Sequence, residues 1–294
     1  MGAVFSTKAS GLRMSKGDLE AFRRYQELLR RVKERASRIK HVIVVMSGKG
    51  GVGKSFITAN FAAVLAKRGF TVGILDADMH GPSIPKILGL EDRKLYTNEK
   101  GEIVPVEGSL KVKVVSMDFL LPGENVPVIW RGPIKTRAIM QFLAEVDWGD
   151  LDFLLIDLPP GTGDEPLTII QCLGRIAGAV IITIPTEVSQ HVVKKAVAFA
   201  RQLNIPILGI VENMSGFTCP ESNRTYYIFG RGGGEKIAKE MNVRFLGSIP
   251  IDPRIADSCD KGFLFVMEYT EAPAARKIEE IVDEILKIIE TQNS

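Results

Sequence analysis

The chain has 294 residues, 45% of them hydrophobic and 25% charged, enough for one large α/β domain or two small ones. No apolar run reaches the length of a membrane span and no secretory signal pattern opens the chain. Three scattered cysteines (Cys172, Cys219, Cys259) make no disulfide framework, so a reducing cytoplasm is the expected compartment.

The formal net charge of +3 is unevenly spread: residues 1–40 carry eleven Lys/Arg and four Asp/Glu, a net +7, leaving −4 for the remainder. Residues 15–40 read as an amphipathic helix, with Phe22, Tyr25, Leu29, Val32, Ala36 and Ile39 spaced by three and four. Such a stripe suits a coiled-coil seam, a helix on a membrane or nucleic acid, or a helix packed on its own domain. The third is the commonest fate of an amphipathic helix. The expected organisation is a basic helical extension over residues 1–40 and a single domain over 41–294.

Val42 to Met46 is a β-branched apolar run of the length of a buried strand. It leads into Ser47-Gly48-Lys49-Gly50-Gly51-Val52-Gly53-Lys54-Ser55, and a helical pattern begins at Phe56. G-x-x-x-x-G-K-S between a strand and a helix is a phosphate-binding loop in its required context. Its glycines leave N–H groups free for phosphate oxygens, and the helix points its positive end at them. Lys54 reaches the β- and γ-phosphates in such a loop and the Ser55 hydroxyl ligates Mg²⁺.

Further along, Thr71 to Leu75 reads as a second buried strand ending in Asp76 and Asp78, where α/β sheets place their ligand crevice. Residues 91–112 suggest a β-excursion, Lys111 to Met117 a strand, and Gly132 to Glu145 a helix. The apolar run Phe153 to Ile156 ends in Asp157, the second magnesium-handling element expected after a phosphate loop. Pro159-Pro160-Gly161-Thr162-Gly163 then suits a γ-phosphate-sensing switch. Strands and helices alternate from Ala179 to Ile249, and a helix over Ala274 to Ile289 closes the chain. That pattern predicts a mostly parallel sheet with helices on both faces.

Lys49 ahead of G-G-V-G-K-S resembles the deviant Walker A motif of the class that includes MinD, ParA and the nitrogenase iron protein. D-A-D-M-H-G-P-S-I-P, I-D-L-P-P-G-T-G-D, V-E-N-M-S-G-F and I-P-I-D-P-R-I resemble the Mrp/ApbC group of iron–sulfur cluster carrier ATPases. The resemblance implies a homodimeric P-loop ATPase with ATP and Mg²⁺ as its cofactors and apo iron–sulfur proteins as clients. It implies a nucleotide site of Gly48, Lys49, Gly50, Gly51, Val52, Gly53, Lys54, Ser55 and Phe56, with Asn213 at the adenine. Lys49 would act across the dimer, Asp78 would orient the attacking water, and Ser55, Asp76 and Asp157 would surround the Mg²⁺. The guanine signature N-K-x-D is absent, which favours ATP.

The group carries C-P-x-C, from which paired subunits hold a [4Fe–4S] cluster by four thiolates. Here the stretch is Cys219-Pro220-Glu221-Ser222. A hydroxyl is a poor iron–sulfur ligand, so a weakened or altered cluster site is expected. The alternative is a MinD- or ParA-like switch in which the N-terminal helix meets a membrane, DNA or a protein.

Overall fold

A β-branched run without polar alternation belongs in the middle of a parallel sheet, where both of its faces are covered. Residues Ile39–Ser47 form that strand, β1, and every residue from Val42 to Ser47 is buried. The structure is a computed structural model that describes residues 16–78, 81–120 and 132–293.

Around β1 the first half of the chain builds α1 Lys16–Ala36, α2 Lys54–Lys67, β2 Val72–Asp76, α3 Ile84–Ile87, β3 Tyr96–Thr97 and β4 Ile103–Val104. It continues with β5 Val106–Glu107, β6 Lys113–Ser116, α4 Gly132–Glu145, β7 Leu151–Asp157 and α5 Asp164–Leu173. The second half adds β8 Gly178–Thr183, α6 Glu187–Gln202, β9 Ile207–Glu212, β10 Phe217–Thr218 and β11 Thr225–Tyr226. It ends with α7 Gly233–Glu240, β12 Phe245–Ser248, α8 Arg254–Lys261, α9 Phe265–Glu268 and α10 Pro273–Asn293.

The main sheet has the order β12-β9-β8-β1-β7-β2-β6-β5, parallel throughout except at the β5 edge. Alternate residues of β1 feed two cores. Ile43 and Val45 join α2, α9 and α10 on one face. Val42, Val44 and Met46 join α4, α5, α6 and α7 on the other. After β7 the chain crosses β1 and continues as β8 on its far side, so the strand order reverses at β1. Crevices at such switch points, beyond the strands' C-terminal ends, are where α/β sheets bind ligands.

β1 begins at Ile39, three residues before the apolar run, because Ile39 and His41 pair with Leu151 and Phe153 of β7. The excursion expected over 91–112 consists of the β3–β4 ribbon and the β5 edge strand. Helix α5 is not foreseen by the sequence reading, since the Pro/Gly density of residues 159–163 hides its start. Pro166 sits in its first turn, where a missing N–H costs nothing. Helix α1 packs on α4 and α5, burying Val32 and half-burying Leu28 and Leu29 in the second core.

Candidate functional site

The phosphate loop leaves the C-terminal end of β1 and enters α2 through Gly53, whose φ of 82° lies in the left-handed region. A side chain there is doubly excluded, because a Cβ would lie 2.3 Å from Asn213 Nδ2. Gly48 is pressed equally hard on the other side, with the Val192 backbone 2.6 Å from where a Cβ would stand. Gly50 and Gly51 are exposed. From Gly48 to Gly53 no backbone N–H donates to another described residue, which leaves a cradle of donors at a helix N-terminus.

Lys54 lies under this cradle, 6% exposed. Its ammonium is 2.8 Å from Asp157 Oδ2, which can take one of its three N–H donors, and among the described residues no other acceptor reaches it. A buried ammonium in that state is costly, and a phosphate oxygen supplies what it lacks. Asp157, fully buried at the end of β7, accepts from the Ser55 hydroxyl at 2.5 Å and from the Thr58 hydroxyl at 2.9 Å.

The β2–β7 register sets Asp76 directly beside Asp157. Asp76 accepts from the Ser116 hydroxyl at 3.1 Å and from the Ile84 N–H at 3.3 Å. Burial first, then the neighbouring Asp157 carboxylate, push the Asp76 carboxyl well above the usual carboxylate range. Two buried carboxyl groups thus share one ammonium, and the proton held on Asp76 is one that a divalent cation can replace. No cluster of three or more His, Cys, Asp or Glu side chains forms a metal cage among the described residues. Mg²⁺ needs none, since it characteristically takes one or two protein oxygens and completes its shell with phosphate and water.

Asp78 is half-buried just beyond β2, its N–H donating to Asp76 Oδ1 at 3.3 Å. Its neighbours Met79 and His80 lie outside the described residues. Lys49 is half-buried on the loop, and among the described residues no acid pairs with it. Gly161 donates to the Ser47 carbonyl at 2.8 Å, tying the second glycine-rich turn to the start of the phosphate loop. Phe56 packs edge-on against Phe265. The Asn213 amide donates to the Val52 carbonyl at 2.9 Å, so this side chain braces the loop from the end of β9.

Three residues of this neighbourhood escape the sequence reading: Thr58, Ser116 and Glu212. Thr58 follows Lys54 by one helical turn, a hydroxyl inside an apolar helix. Glu212 is an acid inside the apolar run of β9, and that misfit is the signal that could have found it.

Cys219 sits some way along the chain from these groups, at the tip of the β10–β11 hairpin. Its N–H donates to the Arg224 carbonyl and its carbonyl accepts from the Asn223 N–H, each at 2.9 Å. This closes a tight turn that brings Ser222 back to the sulfur. The Ser222 hydroxyl, followed by the Ser222 and Glu221 N–H groups, holds the Cys219 thiol below its usual range. The hydroxyl therefore stands beside the sulfur. Cys172 is buried and Cys259 half-buried in the cores, where burial raises both thiols. From the last residue of the hairpin onward, Tyr226, Tyr227, Ile228 and Phe229 form an exposed apolar strip.

The profile of the family described as "ParA: NUBPL iron-transfer P-loop NTPase" matches residues 38–286. The iron-sulfur cluster carrier protein of Saccharolobus solfataricus is 51% identical over 261 residues, covering 89% of this chain and 88% of its own. That of Methanocaldococcus jannaschii is 52% identical over 260 residues, with 88% and 89% covered. A nucleotide-binding protein from Archaeoglobus fulgidus, solved with ADP, superposes with a TM-score of 0.72 at 43% identity, covering 82% of this chain and 93% of that one. The chain belongs to the iron-transfer P-loop NTPases, the family of the iron–sulfur cluster carrier proteins.

Proposed function

We propose that the chain is a homodimeric, Mg-dependent ATPase that carries an iron–sulfur cluster between its subunits, through a site poorer in thiolate than the C-P-x-C pattern provides. The observation that carries the nucleotide half is the buried Lys54 ammonium, with Asp157 its one ion-pair partner among the described residues, beside a cradle of N–H groups that no described residue accepts from. Lys54 and the loop N–H groups hold the β- and γ-phosphates, and Asn213 holds the loop and meets the adenine. Ser55 and Asp157 hold the Mg²⁺, with Asp76 beside it; the ion neutralises phosphate charge when bound. Asp78 positions the attacking water, and Lys49 serves the partner's nucleotide.

Pairing of chains is what the cluster half of this reading requires. Cys219 is alone at its turn, so one chain cannot supply two sulfurs there, whereas a two-fold axis beside the hairpin brings two Cys219 together. The exposed strip from Tyr226 to Phe229 is apolar surface of the kind such pairing covers. The test is Mg-dependent release of phosphate from ATP by the purified chain. Turnover that Lys54→Ala leaves intact would refute the nucleotide site.

A second reading, a nucleotide-driven switch on a membrane or DNA, rests on Leu19, Phe22 and Tyr25, which α1 exposes to solvent. Salt-sensitive binding to anionic vesicles or DNA that is lost in Phe22→Ser/Tyr25→Ser would favour it.

A further inference from the structure

Glu212 ends β9 with a carboxylate that is fully buried and, among the described residues, faces no cation. It survives burial because four donors reach it. Oε1 accepts from the Ser215 hydroxyl at 2.6 Å, the Gly232 N–H at 3.2 Å and the Ser248 hydroxyl at 3.4 Å. Oε2 accepts from the Gly234 N–H at 2.7 Å. These donors are not scattered. Ser215 opens the excursion that carries the Cys219 hairpin, while Gly232 and Gly234 close it at the N-terminus of α7. A single carboxylate pins both stems of that excursion, one stem to each oxygen apart from the weaker Gly232 contact.

The adjacent residue faces the other way. Asn213 donates to the Val52 carbonyl and abuts Gly53 in the phosphate loop. The Ser215 N–H and Gly216 carbonyl are in turn bonded to Ile249 and Ile251, which fixes the entry to β10. A displacement of the phosphate loop therefore reaches Asn213, the chain neighbour of the carboxylate that holds both stems of the hairpin.

We propose that Glu212 is the positioning residue that couples occupancy of the phosphate loop to the Cys219 hairpin. The coupling rests on the nucleotide reading above. It predicts that nucleotide changes the accessibility of Cys219 and that this change passes through the Glu212 carboxylate. In Glu212→Gln only one oxygen remains, and the amide nitrogen must confront donors, so one stem is released while Asn213 and the phosphate loop keep their side chains.

The experiment follows alkylation of Cys219 by iodoacetamide, read by mass spectrometry of its peptide, with and without Mg-AMPPNP. In the wild type the nucleotide is expected to slow alkylation about fivefold, in the range of ordinary coupling between sites. In Glu212→Gln the Kd for Mg-AMPPNP is expected to stay within about threefold, while the ratio of rates with and without nucleotide falls to about one. Ser215→Ala, which removes one donor and leaves the Glu212 carboxylate bonded to Gly232, Gly234 and Ser248, should give an intermediate ratio, and it carries the test if Glu212→Gln does not fold. A purely structural role would lower the melting temperature and leave the ratio unchanged, and that result would overturn the coupling. So would a wild type that binds nucleotide with no change at Cys219. A wild type that binds no Mg-AMPPNP would refute the nucleotide reading itself, and the coupling with it.

Discussion

Lys54 and Lys49 stand five residues apart on one loop, and the proposed function gives them different work. Lys54 is buried against Asp157, whereas Lys49 is half-buried and meets no described acid. Lys54→Ala should lower nucleotide affinity at least ~10-fold, because it strips the cradle of its charge. Lys49→Ala should bind nucleotide within about threefold of wild type yet lose turnover by ~10³-fold, as removal of a charge supplied in trans does. Calorimetry and phosphate release separate the two, and equal affinity losses would contradict the trans role. Lys54 and Ser55 were legible in the sequence because a phosphate loop demands fixed residues at fixed spacing, and Asp157 because an apolar run ends in it. Thr58, Ser116 and Glu212 were not, since a hydroxyl or acid inside an apolar run acquires its partner only when distant strands meet.

At the scale of elements, the basic N-terminal helix spends part of its charge on its own domain. Arg35 pairs with Glu102 and with Asp147, Arg31 lies 4.0 Å from Glu145, and Val32 is buried beneath them. Val32→Ala should cost about 1–2 kcal/mol in denaturant unfolding, the lost burial plus a small cavity. Where β1 begins, Asp152 is held down at about 2 by the Lys40 ammonium and then the Thr71 N–H and hydroxyl. A carboxyl depressed in the folded state stabilises it above the unfolded pKa, and that gain disappears as pH falls through 2. Asp152→Asn should therefore lower the unfolding free energy at pH 7 by about 1 kcal/mol after allowance for solvent screening, and converge on wild type towards pH 2. The long elements were readable from periodicity: β1 from its β-branched run, α10 from its isoleucine face. The β10–β11 hairpin was not, because its two-residue strands leave no period. Its shape depends on Gly216 and Ser215 being tethered to residues 249–251.

For the whole molecule, the sheet order brings the phosphate loop, Asp76, Asp157 and Asn213 to one end, with the Cys219 hairpin on the same side of β9. In the proposed function this hairpin is the cluster site, with one thiolate per chain where C-P-x-C would supply two. The turn that brings Ser222 near Cys219 places a replacement thiol close to the first, and thiolate count limits affinity. Anaerobic reconstitution with iron and sulfide, followed by iron analysis and the visible spectrum, tests the claim most directly. Wild type should bind a weak or substoichiometric cluster. Ser222→Cys should gain a broad band near ~400 nm and about four irons per two chains, and Cys219→Ser should lose whatever signal wild type has. A full, stable wild-type cluster that survives Cys219→Ser, or no gain in Ser222→Cys, would contradict it.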